Sequence, residues 1–169
     1  MAIEIREADY SDAAHRAAIV DVLDSYASDP VGGGRPLEAE VRERLVPALR
    51  EHPTALVLLA FQARRAVGII VGFFGFSTFQ ARPLLNLHDV AVIPECRGQG
   101  VGRALLEAAE AHARDRACCK LTLEVQDDNQ RAKRLYHSFG FDDTRIGDSE
   151  PTRFLSKPLD PLSTPGGDA

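Results

Sequence analysis

One run of residues in the middle of the chain has the types and spacing to hold phosphate: Arg97-Gly98-Gln99-Gly100-Val101-Gly102. Glycine lets the backbone approach a ligand with no side chain between. Where a helix starts, its first unpaired N–H groups and its positive dipole end favour an anion. Two familiar phosphate loops are excluded. A Walker loop needs Gly-Lys-Ser/Thr where Arg103-Ala104-Leu105 stands, and a dinucleotide fingerprint begun at Gly98 needs a third Gly where Arg103 sits. What remains is Arg-x-x-Gly-x-Gly, with Arg97 and Arg103 adding positive charge. Cys96, Cys118 and Cys119 have no zinc-ligand spacing, and a bridge between the adjacent pair is strained. Reduced thiols and no metal are expected.

Such a turn needs a strand to lead in and a helix to lead out, and the neighbouring residues supply both. Leu84 to Val92 reads as the strand, and Val101, Ala104, Leu105, Ala108 and His112 recur at helical steps. Upstream, Ile3 to Ala8 alternates as a half-buried strand, and Ser11 offers an N-cap to an amphipathic helix. Asp29 to Pro36, with Gly32, Gly33 and Gly34, is a loop. Leu37, Val41 and Leu45 form a short helix that Pro47 should end or kink. Thr54 to Phe61 and Val67 to Phe76 predict a hairpin turning at Gln62 to Arg65. Gly68, Gly72 and Gly75 in its second strand mark a bulge or a close contact. Near-continuous hydrophobicity in both strands implies a sheet covered on two faces. Downstream come a strand from Lys120 to Val125 and a helix capped by Asp127 or Asp128 that runs to Ser138 and stops at Gly140. Two further strands are expected, from Phe141 onward and over Thr152 to Lys157. Residues 3–158 read as one domain and 159–169 as a disordered tail.

In this setting the turn, together with Asn129-x-x-Ala132-x-x-Leu135-Tyr136 and Phe139-Gly140-Phe141 downstream, resembles the GNAT superfamily of acetyl-CoA-dependent N-acetyltransferases. That family's signature is Gln/Arg-x-x-Gly-x-Gly/Ala between a central strand and a helix. The resemblance implies an α/β (α+β) fold, a mixed sheet of about six to seven strands with about four helices, splayed between strands 4 and 5 to admit the cofactor. It implies that the backbone from Arg97 through Gly98, Gln99, Gly100, Val101 and Gly102 to Arg103 holds the acetyl-CoA pyrophosphate. By the same resemblance the backbone of Val90, Ala91 and Val92 pairs with the pantetheine arm. Asn129 reaches that arm or simply caps its helix, and Ala132 leaves room for the arm to pass. Tyr136, about two helical turns beyond Asn129, is the general acid for the leaving thiolate or else a packed aromatic.

Acetyl transfer to an amine also needs a proton acceptor, because a free alkylamine is mostly protonated near neutral pH. On strand alternation His88 and Val90 share one face, with Asp89 and Ala91 on the other. His88 and Glu124 are the candidate bases, histidine being the side chain that ordinarily titrates near neutral pH. Polyamine and diamine N-acetyltransferases, which Phe73-Phe-Gly-Phe-Ser-Thr-Phe79 and Leu87-His-Asp-Val90 resemble, usually carry Glu where His88 stands. That departure leaves the acceptor open. The expected reaction is direct attack of a primary amine on acetyl-CoA in a ternary complex, with a small-molecule amine favoured. Acetylation of a protein lysine or N-terminus, and a catalytically silent acetyl-CoA-binding regulatory module, are the alternatives.

Composition bounds the partners. The chain has 169 residues, 44% hydrophobic and 27% charged, with a net charge of −5 and a pI near 5.5. Its basic residues are dispersed among acids, which argues against nucleic acid and favours a cationic or amine substrate. No apolar run suits a signal peptide or a membrane span, so a cytoplasmic protein with no membrane partner is expected. A homodimer is compatible with this reading.

Overall fold

The computed structural model describes residues 2–143. Among them, five strands form one sheet in the order β1 (Ile3–Glu7), β2 (Ala55–Gln62), β3 (Arg65–Ser77), β4 (Arg82–Val92) and β5 (Leu121–Leu123). The first four pair antiparallel, and β5 joins β4 in parallel. Four helices accompany the sheet: α1 (Ala13–Ser28), α2 (Ala39–Glu51), α3 (Val101–Asp115) and α4 (Gln130–Ser138). This is the mixed sheet with four helices expected, with fewer described strands. Asp142 and Asp143 are not in a strand, and the strand expected over Thr152 to Lys157 lies, with the tail, outside the described residues.

Both faces of the sheet are covered. Ile69 and Ile70 are neighbours on β3 and point to opposite faces, yet both are fully buried. Gly68 shows which face belongs to α3: a Cβ there would sit 3.0 Å from Val101 and 3.1 Å from Leu105. The other face receives α1 through Ile19, Val22 and Leu23. Burying a side chain such as Ile19 or Leu105 contributes about 1.5–3 kcal/mol, so the sheet and the two helices hold one another in place.

Local chemistry places the helix ends, and it corrects three sequence expectations. Asp12, one residue beyond Ser11, caps α1 by accepting the Ala14 N–H at 2.7 Å, while Ser11 donates to Asp9. Asn129 caps α4, which is one of its two expected roles, and Asp127 and Asp128 do not. Pro47 lies inside α2 without ending it, because Val46 and Leu49 are buried beside it and offset the missing backbone bond. The two readings of the β3 glycines both apply: β3 and β4 slip register at Val71/Gly72, and Gly72 also lies where a Cβ would come within 3.0 Å of the Asn86 carbonyl.

The site is positioned by the partial pairing of β4. Strand β5 pairs only with Leu85, Asn86 and Leu87, whereas β4 continues to Val92. From His88 onward the β4 edge facing β5 is open, which is the expected splay between strands 4 and 5.

Candidate active site

The register slip sets what that open edge offers. Leu87 pairs with Gly72 and Asp89 with Val71, so His88 is an extra residue in β4. The bulge shifts the alternation by one. Leu85, which donates to the Lys120 carbonyl at 3.1 Å, uses its backbone toward β5, whereas beyond the bulge Ile93 donates to Val67 on the β3 side at 3.0 Å. Val90 and Val92 therefore turn their peptide groups into the opening. The bulge also corrects the expected alternation of side chains. His88 and Asp89 lie on one face: the His88 ring meets Phe73 with centroids 5.8 Å apart, and Asp89 acts electrostatically on Tyr26 of α1.

Strand β4 then runs through a short 3-10 turn, Pro94–Cys96, into the glycine turn and α3. Gly98 and Gly100 have φ of 75° and 86°, left-handed values that any side chain would strain. Gly100 is the N-cap of α3 and accepts the first helical bond from Ala104 at 3.0 Å. The N–H groups of Val101, Gly102 and Arg103 are left without helical partners, as at any helix start. Gly102 is where α4 comes close, since a Cβ there would lie 2.9 Å from Leu135.

These parts line a single cleft of about 280 Å³. Val90, Ala91, Val92, Arg97, Gly98, Gly100, Val101, Gly102, Arg103, Asn129, Ala132 and Tyr136 of the sequence reading all border it. Gln99 does not; its side chain turns to the Glu95 carbonyl and to Gln62. His88 and Glu124 are exposed and are not among the lining residues. The cleft fits an extended ligand ending in phosphates: it has peptide groups along one wall and unpaired helix N–H groups at one end.

The side chains are committed in ways that spacing does not reveal. Arg97 leaves the turn, donating from Nε to the Val92 carbonyl at 3.0 Å and from Nη2 to Asp29 at 2.7 Å. Arg103 leans on α4, donating to the Ser138 hydroxyl at 2.7 Å. What the turn offers an anion is thus its backbone donors more than these two charges. Asn129 uses its Oδ1 to accept the Ala132 N–H at 3.1 Å, which leaves its amide donors for the cleft. The Cys96 thiol is buried and donates to Gln62.

Tyr136 is buried and lines the cleft. Burial pushes its phenol up to about 12, with the Tyr26 phenol adding to the rise. Such a group stays protonated across the neutral range and keeps its O–H as a hydrogen-bond donor. Tyr26, at the end of α1, lines the same cleft and is itself raised, by burial first and then by Asp89 and Asp29. Burial also raises Asp89 above the usual carboxylate range, while neighbouring His88 pulls it back. Sequence reasoning missed Tyr26, Asp29 and Arg131 as lining residues, and it missed Asp89, which like His88 does not line the cleft but acts electrostatically on Tyr26. Only Asp89, beside the motif, carried a signal that could have found it.

Comparison with known proteins agrees with this fold. The model of the Acetyltransferase (GNAT) family matches residues 19–141. The uncharacterized N-acetyltransferase YhfO of Bacillus subtilis (strain 168) is 30% identical over 147 residues, which is 83% of this chain and 91% of that protein. A thialysine N-epsilon-acetyltransferase of Bos taurus is 39% identical over 77 residues, covering 46% of this chain and 45% of that protein. Among solved structures, a probable acetyltransferase has a TM-score of 0.73 at 21% identity, over 93% of this chain and 100% of that one. A soil-metagenome aminoglycoside acetyltransferase has a TM-score of 0.74 at 16% identity, over 93% of this chain and 96% of that one. Likeness at those identities is likeness of fold.

Proposed function

The chain belongs to the GNAT acetyltransferase family, and from that premise we propose that it moves an acetyl group from acetyl-CoA to a primary amine by direct attack in a ternary complex. One observation carries the reading: the open β4 edge leads, within a single cleft, to the glycine turn at the start of α3. Acetyl-CoA supplies the acetyl group as a thioester, whose C–S bond breaks as the C–N bond to the amine forms. The chain supplies the rest. N–H groups at Gly98 to Arg103 hold the phosphates, and the Val90 and Val92 peptides grip the arm. The Tyr136 hydroxyl meets the thiolate sulfur. Its high pKa keeps it a hydrogen-bond donor that stabilises the thiolate as it forms, and the thiolate takes its proton from solvent after release.

The amine nitrogen loses a proton on forming the amide. Asp89 takes it, its half-buried carboxylate being more basic than an exposed one, and exposed His88 beside it hands the proton to solvent. Glu124 plays no part in this route. The acceptor is a small-molecule amine. Support for this comes from the net charge of −5 and from relatives whose names specify thialysine and mycothiol. The protein acts in the cytoplasm and uses no metal.

Calorimetric titration with acetyl-CoA tests the cleft assignment. The unaltered protein binds. Gly100→Leu, which must hold a left-handed φ at a cost of about 1–2 kcal/mol, remains folded but loses most of that affinity. Equal affinity in the two folded proteins places the ligand elsewhere.

A further inference from the structure

The connection between α1 and α2 passes over the cleft, and one carboxylate sets its course. Asp29 closes α1 and opens a 3-10 turn, Pro30–Gly32. Its Oδ1 accepts the Val31 N–H at 3.0 Å, and its carbonyl accepts Gly32 at 2.8 Å and Gly34 at 3.0 Å. Gly32 packs so tightly that a Cβ would fall 1.9 Å from the Tyr26 carbonyl. The other oxygen, Oδ2, takes Arg97 at 2.7 Å, and the pair is only 12% and 22% exposed. At its far side the strap is tied by Gln126, which donates to the Val31 carbonyl at 3.1 Å. Arg97 belongs to the β4–α3 half and Gln126 to the β5–α4 half. The strap therefore bridges the opening between the strands, and Tyr26, Asp29 and Val31 line it from above.

We propose that Asp29 is a positioning residue for the acyl-CoA arm: by aiming Arg97 at the Val92 carbonyl and fixing the strap, it roofs the cleft so that the arm is held against β4. The inference rests on the acetyl-CoA reading above. Arg97 occupies the Val92 carbonyl, which leaves the Val90 peptide and the Val92 N–H to meet the arm. Electrostatics and positioning then predict opposite signs. Deleting a negative charge from a cleft that takes a polyanion should tighten binding by Coulomb attraction alone. If Asp29 positions the roof, binding weakens.

The test is calorimetry on Asp29→Asn with two probes. One is acetyl-CoA and the other is adenosine 3′,5′-bisphosphate, which has the nucleotide end without the arm. Asparagine can still accept the Val31 N–H but removes the charge on Arg97's partner. The expected result is affinity for acetyl-CoA weakened about tenfold, as for a lost charged hydrogen bond, with affinity for the bisphosphate unchanged or tighter. Acetyl-CoA affinity that is unchanged or tighter overturns the proposal. So does equal weakening of both probes, which marks a general loss of structure. If Asp29→Asn does not fold, Gln126→Ala releases the other end of the strap from an exposed position. It should weaken acetyl-CoA about threefold through faster dissociation, and an unchanged rate overturns the proposal. Failure of the unaltered protein to bind acetyl-CoA is a separate result, which removes the acetyl-transfer reading and this inference with it.

Discussion

In the proposed reaction two side chains divide the proton chemistry, and burial raises the pKa of both. Tyr136 at about 12 cannot ionise in the working range, so its effect is that of a fixed donor beside the sulfur. Tyr136→Phe keeps the ring and its edge contact with Phe141, so kcat should fall about 10- to 1000-fold with acetyl-CoA affinity nearly intact. Steady-state rates with calorimetric affinity check this. In the unaltered enzyme Tyr136 adds no alkaline limb up to about pH 10, where roughly one per cent of such a phenol is ionised. Asp89 works in the other direction. Its pKa is raised on folding, so its contribution to stability is full below the unfolded value and is lost as pH rises through the folded one. As pH rises through that folded value, the half-buried carboxylate therefore costs stability. Asp89→Asn should raise Tm near pH 7 while lowering kcat/KM about 100- to 10,000-fold, a pairing that thermal melts and initial rates read together. His88→Gln should keep most of the turnover, because His88 only relays the proton to solvent. If the loss in His88→Gln exceeds that in Asp89→Asn, the roles are reversed.

Elements differ in how far the sequence discloses them. The strand before the turn and the helix after it were legible because hydrophobic periodicity and the glycines agreed with each other. The bulge at His88 was not. Alternation assumes an unbroken pleat, and the register slip at Val71/Gly72 depends on how β3 and β4 meet. This one extra residue brings Asp89 to the same face as His88 and turns the Val90 and Val92 peptides toward the opening. The Asp29–Arg97 pair joins residues 68 positions apart, and no local pattern announces it. Caps failed for a smaller reason: Ser11 and Asp12, or Asp127 to Asn129, all have side chains able to cap, and backbone geometry chooses among neighbours.

At the scale of the whole molecule, a sheet that pairs fully on one side and parts on the other gives a rigid frame with an accessible peptide edge. The cleft lies between the halves, the phosphate turn at one end and Tyr136 within it, so both substrates can meet without a covalent carrier. Cys96 is the one thiol bordering the cleft among the described residues, and a two-step route would have to pass through it. The most direct measurement is thiol release from acetyl-CoA, followed first without an acceptor and then with a panel of small primary amines. Direct transfer predicts no release until an amine is present, then one acetylated amine for each thiol freed. A burst of thiol equal to the protein concentration before any amine is added, or no release with any amine or peptide acceptor, would contradict the account.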